Sequence, residues 1–241
     1  MVARRLRSAG RRVMVTITTI AGGAPKPVFD RLGPLYEKRS GNKLNALYDS
    51  MSGIAARVAA HEGLDVLLMP VATIENYVKQ GIVQGACTPL ANIGLAVGVT
   101  EGRPVPDVST PETLRAALLA AGSVVHAPPT ATPSGAQSDK VIKQLGLAEQ
   151  LSGRVVHKVG LAGGLAAIAS GEADLGIFPK SEIVSVKGIE LAGPLQLITT
   201  YGAGVTASSH VAAQAAEFVR FLIEPDSLNV WVDCGFNPPA R

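Results

Sequence analysis

The stretch "NALYDSMSG" sets Asp49, Ser50 and Ser52, followed by Gly53, where a strand-like run gives way to a helix-like run. Hydroxyls at such a corner have two uses. A serine caps the helix by accepting a hydrogen bond from one of its first free N–H groups. Those N–H groups, with the positive end of the helix dipole, also make the corner a site for an anion. One corner does not separate the two uses. Small or hydroxyl residues recur, however, at "IAGGAP", "YDSMSG", "PTATPSG" and "VGLAGG", each at the carboxyl end of a strand-like run. Open α/β sheets bind ligands in the crevice at that edge. The recurrence predicts an anion site, with Ser50 and Ser52 acting both as caps and as ligand donors.

Other chemistries find less support. His61, His126, His157 and His210 fall on separate elements with no HxxxH or HExxH pair, so no metal site is expected. No GxSxG elbow surrounds Ser52 or Ser134. "GAGVTA" at 202–207 matches a dinucleotide fingerprint, but too little chain follows to complete the unit that would use it. A glycine-rich strand crossing close to another backbone is the better reading. Cys87 and Cys234 lie far apart, outside any CxxC pattern, and read as small buried residues, with a single bridge left open. No cofactor is expected.

The elements that must position these corners alternate along the chain. "VMVTITTI", "KLNALY", "LDVLLMP", "IGLAVGVT", "SVVHAP", "RVVHKVG", "EADLGIFP" and "LQLITTYGAGVT" read as strands. Helix-like runs separate most of them, among them "PKPVFDRLGPLYEKRSG", with a kink expected at Pro34 and an end at Gly41. "VAAQAAEFVRFLIEP" reads as a final amphipathic helix. This alternation predicts an α/β fold with mainly parallel sheets. The break near Asn92 and the long strand near Thr200 predict two lobes and a hinge crossed twice. The boundaries expected are 14–92 with 204–241 for the first lobe, 93–203 for the second, and a disordered basic arm at 1–13.

Composition agrees. The 241 residues are 47% hydrophobic and 17% charged, which suits packed cores and excludes disorder. Much of the net charge of +3 comes from "RRLRSAGRR", and the remaining body shows no basic stripe for nucleic acid. No apolar run approaches the ~18–20 residues of a membrane span, so no membrane insertion is expected. The basic start lacks the apolar middle and cleavage site of a signal peptide. As written, the protein is expected in the cytoplasm; a mis-annotated start, with Met14 as an alternative, would make it periplasmic.

The order of "TITTIAGGAPKPVFDRLGPLYEKRSGNKLNALYDSMSGIAARV", "LDVLLMPVATIENYVKQGIV", "GLAAIASGEADLGIFPKSEI" and "EFVRFLIEPDSLNVWVDCGF" resembles the molybdate-type solute-binding proteins, of the type 2 periplasmic-binding fold. The resemblance covers almost the whole chain from Val13 onward. It implies two α/β lobes that close on a small oxyanion, held by hydroxyls and helix N-terminal N–H groups. It puts the first anion loop on Gly22 and Gly23, where molybdate binders have a serine pair, and the second on Ser50 and Ser52. From the second lobe it implies Thr132 and Ser134, the helix start at Gly163 and Gly164, and the segment at Lys180 and Ser181. The glycines at 22 and 23 remove two hydroxyl donors and leave room, which counts against molybdate and favours a larger organic anion. Lys26, Arg57 and Lys180 are then candidate charge partners for carboxylates.

"GIFPKSEIVSVKGIEL" is also similar to a branch of this family that includes aconitate isomerases. That reaction needs a base beside a carboxylate and a donor-rich site for the developing enolate. Asp49, Glu182 and His126 are the candidate bases. The leading expectation is binding of a small anion, most of all an organic carboxylate, between the lobes, with an ABC permease and ATPase as implied partners. An isomerase of an unsaturated carboxylic acid is the alternative, and a cytoplasmic ligand sensor the second. The missing signal peptide favours the isomerase; family frequency favours the receptor.

Overall fold

Strand-forming β-branched runs and helix-forming Ala- and Leu-rich runs sort into two five-stranded sheets in the computed structural model, which describes residues 14–159, 161–183, 187–191 and 195–238. The basic arm expected at 1–13 lies outside the described residues.

The chain begins with β1 (Thr16–Ala21), α1 (Lys26–Ser40), β2 (Lys43–Tyr48), α2 (Met51–Ala59), β3 (Val66–Pro70), α3 (Val71–Lys79) and β4 (Val83–Ile93). It then builds β5 (Leu95–Val99), α4 (Pro111–Ala120), β6 (Val124–His126), α5 (Pro133–Gln144), β7 (Val155–His157), a π-helical turn at Leu161–Leu165, α6 (Ala166–Ala169), β8 (Leu175–Pro179), α7 (Lys180–Ile183) and β9 (Lys187–Glu190). It returns through β10 (Thr199–Thr206) to α8 (Ala212–Leu222) and α9 (Pro225–Asp233).

The sheet orders are β2-β1-β3-β10-β4 and β7-β6-β8-β5-β9. In each, three strands run parallel, β2-β1-β3 and β7-β6-β8. The rest of each sheet is antiparallel, so the expected parallel pairing holds for the βαβ half only. The reason is topological. β10 and β5 enter as the chain crosses between lobes, not by way of a packed crossover helix.

β4 was not legible as a strand. "VQGACTPLANI" is polar, contains Pro89, and forms the edge of its sheet beside β10, where a missing N–H is tolerated. Its partner β10 holds the "GAGVT" run. A methyl group on Gly202 would lie 2.5 Å from Cys87 Sγ, and one on Gly204 would lie 2.5 Å from Val83 Cγ1. These glycines let two strands and α3 meet closely. α1 runs unbroken from Lys26 to Ser40 through Pro34 and stops at Gly41, whose φ of 75° suits glycine.

The cores stay within their sheets. Phe29, Tyr36, Phe218 and Phe221 join α1 to α8, with the Tyr36 and Phe218 rings 4.8 Å apart edge to face. Leu114, Leu118, Val124, Val141 and Ile177 anchor the second lobe. Burial on this scale is the main stabilising term, and it holds each sheet's carboxyl edge rigid. Cys87 and Cys234 are both free thiols.

Candidate functional site

Two corners at these edges are built alike. Ser50 is the N-cap of α2: its Oγ accepts from Gly53 N–H at 3.1 Å and shares a 3.1 Å hydrogen bond with Ser52 Oγ. Thr132 is the N-cap of α5: its Oγ1 accepts from Gly135 N–H at 2.9 Å and shares a 3.1 Å bond with Ser134 Oγ. Each motif places a hydroxyl at the cap, a second two residues on, and a glycine at the third helical position. Neither helix has an acid in its first turn. The glycines answer different neighbours. A methyl group on Gly53 would lie 2.1 Å from Asp49 Oδ1, and one on Gly135 would lie 2.3 Å from Pro128 O.

The corners face each other. Met51 N–H, one of the free donors of α2, donates to Ala131 O at 3.1 Å. Ser181 Oγ donates to Ala24 O at 3.0 Å, and Gln137 Nε2 to Thr199 Oγ1 at 2.7 Å. Between the lobes these bonds enclose a cavity of about 20 Å³, room for little more than one water. Its wall includes Gly22, Gly23, Asp49, Thr132, Ser134, Glu182 and Tyr201. No lysine or arginine among the described residues contributes to that wall.

Of the residues singled out from sequence, Gly22, Gly23, Thr132, Ser134, Asp49 and Glu182 meet at this wall. Ser50 and Ser52 are not part of it, although Asp49 and Met51 beside them line it. Ser181 is buried and spent on the contact to Ala24. The cations lie elsewhere. Lys26 pairs with Asp30 at 2.7 Å, Arg57 with Glu62 at 3.0 Å, and Lys180 with Glu190 at 2.7 Å. Gly163 and Gly164 fall in the π-helical turn; a methyl group on Gly164 would lie 2.1 Å from Phe178 Cζ, so that glycine admits the ring.

The candidate bases separate sharply. His126 is buried, with Nδ1 2.8 Å from Ala127 O and its ring edge to face with His157, centroids 4.8 Å apart. Burial holds its imidazole below the usual range, and it lies outside the cavity wall. Asp49 is exposed and accepts from Ser50 N–H at 2.7 Å. Glu182 is only 6% exposed, and no hydrogen bond or ion pair engages its carboxyl among the described residues. Burial alone pushes it up to about 7.

Tyr201, which sequence reading did not single out, completes the wall from β10. Burial first, then the Glu182 charge, raise its phenol well above the ordinary value. A methyl group on Gly22 would lie 3.8 Å from its hydroxyl, and one on Gly23 would lie 3.4 Å from Glu182 Oε1. The sole signal for Tyr201 was one polar-tipped aromatic in an aliphatic, glycine-rich strand.

The family model for the bacterial extracellular solute-binding proteins matches residues 17–237. The chain belongs to this family. Aconitate isomerase from Pseudomonas sp. is 28% identical over 95% of this chain and 90% of its own length. Among solved structures, the periplasmic molybdate-binding protein of Azotobacter vinelandii superposes with a TM-score of 0.80 at 19% identity, covering 93% of this chain and all of that one. The sulfate-binding protein of Mycobacterium tuberculosis gives 0.72 at 18% identity, over 93% of this chain and 87% of that one. The fold is the two-lobed type 2 periplasmic-binding architecture. Among the described residues, no helix is long and apolar enough to cross a membrane.

Proposed function

We propose that this protein binds a small organic carboxylate between its lobes, as solute-binding proteins hold their ligands. The observation that carries the reading is the pair of hydroxyl-capped helix N-termini facing each other across a cavity whose wall, among the described residues, holds no cation. Helix ends and hydroxyls bind an anion through partial charges and directed donors, without a buried ion pair. The 20 Å³ left in the closed arrangement means that the lobes separate to admit a ligand and close on it. Gly22 and Gly23 offer backbone N–H groups without hydroxyls, which disfavours a tetrahedral oxyanion and suits a planar carboxylate. The permease and ATPase of an ABC uptake system are the partners such a receptor would serve.

A thermal-shift screen tests it. Di- and tricarboxylates are expected to raise the melting temperature, since a ligand at 100 times its Kd adds about 2.7 kcal/mol to the folded state. Stabilisation by molybdate or sulfate, with none by carboxylates, would sink the proposal.

A second reading, isomerisation of an unsaturated carboxylic acid, draws on the aconitate isomerase relative and on Glu182. Glu182 is the candidate base that is both buried at the cavity and, among the described residues, without a hydrogen-bond or ion-pair partner. Its carboxylate would take a proton from the carbon next to the double bond. The electron pair left behind shifts the double bond by one position, and the new acid returns the proton to the far carbon. Tyr201 and the Thr132 and Ser134 hydroxyls would face the charge that develops on the carboxylate. Incubation with trans-aconitate in D₂O, followed by NMR, is expected to show deuterium uptake that Glu182→Gln abolishes. Binding without exchange leaves the receptor reading.

A further inference from the structure

We propose that Glu182 in its acid form donates a hydrogen bond to the bound carboxylate, so that the site takes up its ligand together with one proton. This rests on the carboxylate reading above. The physical problem is specific. The cavity that would hold an anion has a buried carboxyl in its wall and, among the described residues, no lysine or arginine there to offset it. Two carboxylates enclosed together repel unless one carries a proton, and the shared proton then becomes the bond between them.

The surroundings of Glu182 determine where that proton sits. β5, β8 and the turn at Leu161–Leu165, all packed on α7, carry no titratable side chain. β9 carries Lys187 and also Glu190, which is already paired with Lys180 at 2.7 Å. Across the cavity stand Tyr201, whose phenol stays neutral, and Asp49, an acceptor held by Ser50 N–H. Ser181, the next residue on the helix, donates to Ala24 O. Among the described residues, none of these groups brings Glu182 a positive charge, and none is hydrogen-bonded to its carboxyl. Its carboxyl is a poor place for a charge and a good place for a hydrogen, and an arriving anion strengthens both tendencies. Free protein near neutral pH is divided between the two forms, as a carboxyl lifted to about 7 requires. Ligand then selects the protonated one.

Selection of this kind depends on what the ligand offers. An acid proton matches an ionised carboxylate oxygen, whereas a ligand that offers only donors at that point pairs with the ionised form of Glu182 and binds without taking up a proton.

Calorimetry with trans-aconitate, ionised throughout pH 6–9, tests the proposal on the wild-type protein. Affinity is expected to be level below about pH 7 and to fall about tenfold from pH 8 to pH 9. At pH 8 the heat, compared in two buffers of different ionisation enthalpy, is expected to report about one proton taken up per ligand. Glu182→Gln, fixed neutral and still a donor, is expected to lose the slope and to bind more than tenfold tighter than wild type at pH 8.5. Binding of trans-aconitate with neither slope nor proton uptake overturns the proposal and leaves the carboxylate reading intact. A slope that persists in Glu182→Gln assigns the proton to another group and also overturns it. No heat at any pH, with no melting shift from any carboxylate, overturns the underlying reading itself. The buffer comparison needs no variant, so a misfolded Glu182→Gln would not leave the question open.

Discussion

The corners that open α2 and α5 use one device in opposite lobes and present it differently. Both spend a cap hydroxyl on a glycine N–H, and both tie a second hydroxyl to the first. The second corner lines the cavity with Thr132 and Ser134, whereas the first lines it with Asp49 and Met51 and leaves Ser50 and Ser52 out of the wall. Ala131 occupies the place in the second corner that Asp49 holds in the first. The difference teaches that a cap motif fixes local hydrogen bonding but not what the ligand meets. Charge separates the lobes too: the first offers an exposed, bonded acid in Asp49, the second a buried one in Glu182 that has no partner among the described residues.

The largest effect expected from breaking this contrast is on pH-dependent stability. Glu182 binds its proton more tightly folded than unfolded, so the stability it contributes is complete below about pH 4.5 and is lost as pH rises through about 7. Glu182→Gln removes that loss. It is expected to be more stable than wild type at pH 8 by roughly 3 kcal/mol, an upper figure at 1.36 kcal/mol per pH unit, with the gap closing toward pH 4.5. Chemical denaturation of both proteins across pH 4.5–8 checks it, and a gap independent of pH would show that the carboxyl is not held protonated.

The two glycines give the next contrast. Gly135→Ala drives a methyl group against the Pro128 and Ala127 carbonyl oxygens, at 2.3 and 2.6 Å, and fixed backbone cannot yield. A loss of about 1–3 kcal/mol is expected. Gly53→Ala meets only the end of the Asp49 side chain, which can swing away, while alanine favours the helix by up to about 1 kcal/mol. A near-neutral outcome is expected there. Equal losses in the two variants would mean that Asp49 is fixed as firmly as backbone.

The hydroxyls sharpen the comparison on the binding side. Ser134→Ala is expected to weaken carboxylate binding at least about tenfold, since a hydrogen bond to a charged group contributes roughly 1.5–3 kcal/mol. Ser52→Ala, outside the wall, is expected to cost several-fold less, with little change in melting temperature for either. Equal losses of affinity would indicate that the first corner rotates its serines inward on binding. The smallest effect falls on the exposed acid: Asp49→Asn keeps an acceptor for Ser50 N–H and is expected to shift stability by no more than about 0.5 kcal/mol.

Much of this was legible from residue order. Alternating runs announced an α/β chain, and hydroxyl or glycine clusters at strand ends announced the corners, because caps and turns are local chemistry that needs only neighbours in sequence. Gly22, Gly23, Thr132, Ser134, Asp49 and Glu182 were all named before their meeting place was known. Three matters were not local. The edge strand β4 hid behind Pro89 and its polar residues because its identity comes from pairing with β10, more than a hundred residues on. The lysines and Arg57 looked like carboxylate partners, yet each found a nearer acid on its own part of the chain. Tyr201 and Glu182 became neighbours at the cavity only because the chain crosses between lobes and returns. Sequence by itself determined which residues could cap, turn and donate. Tertiary structure decided which of them share one small, buried space, because burial and mutual distance set charge, and both belong to the folded chain rather than to any segment of it.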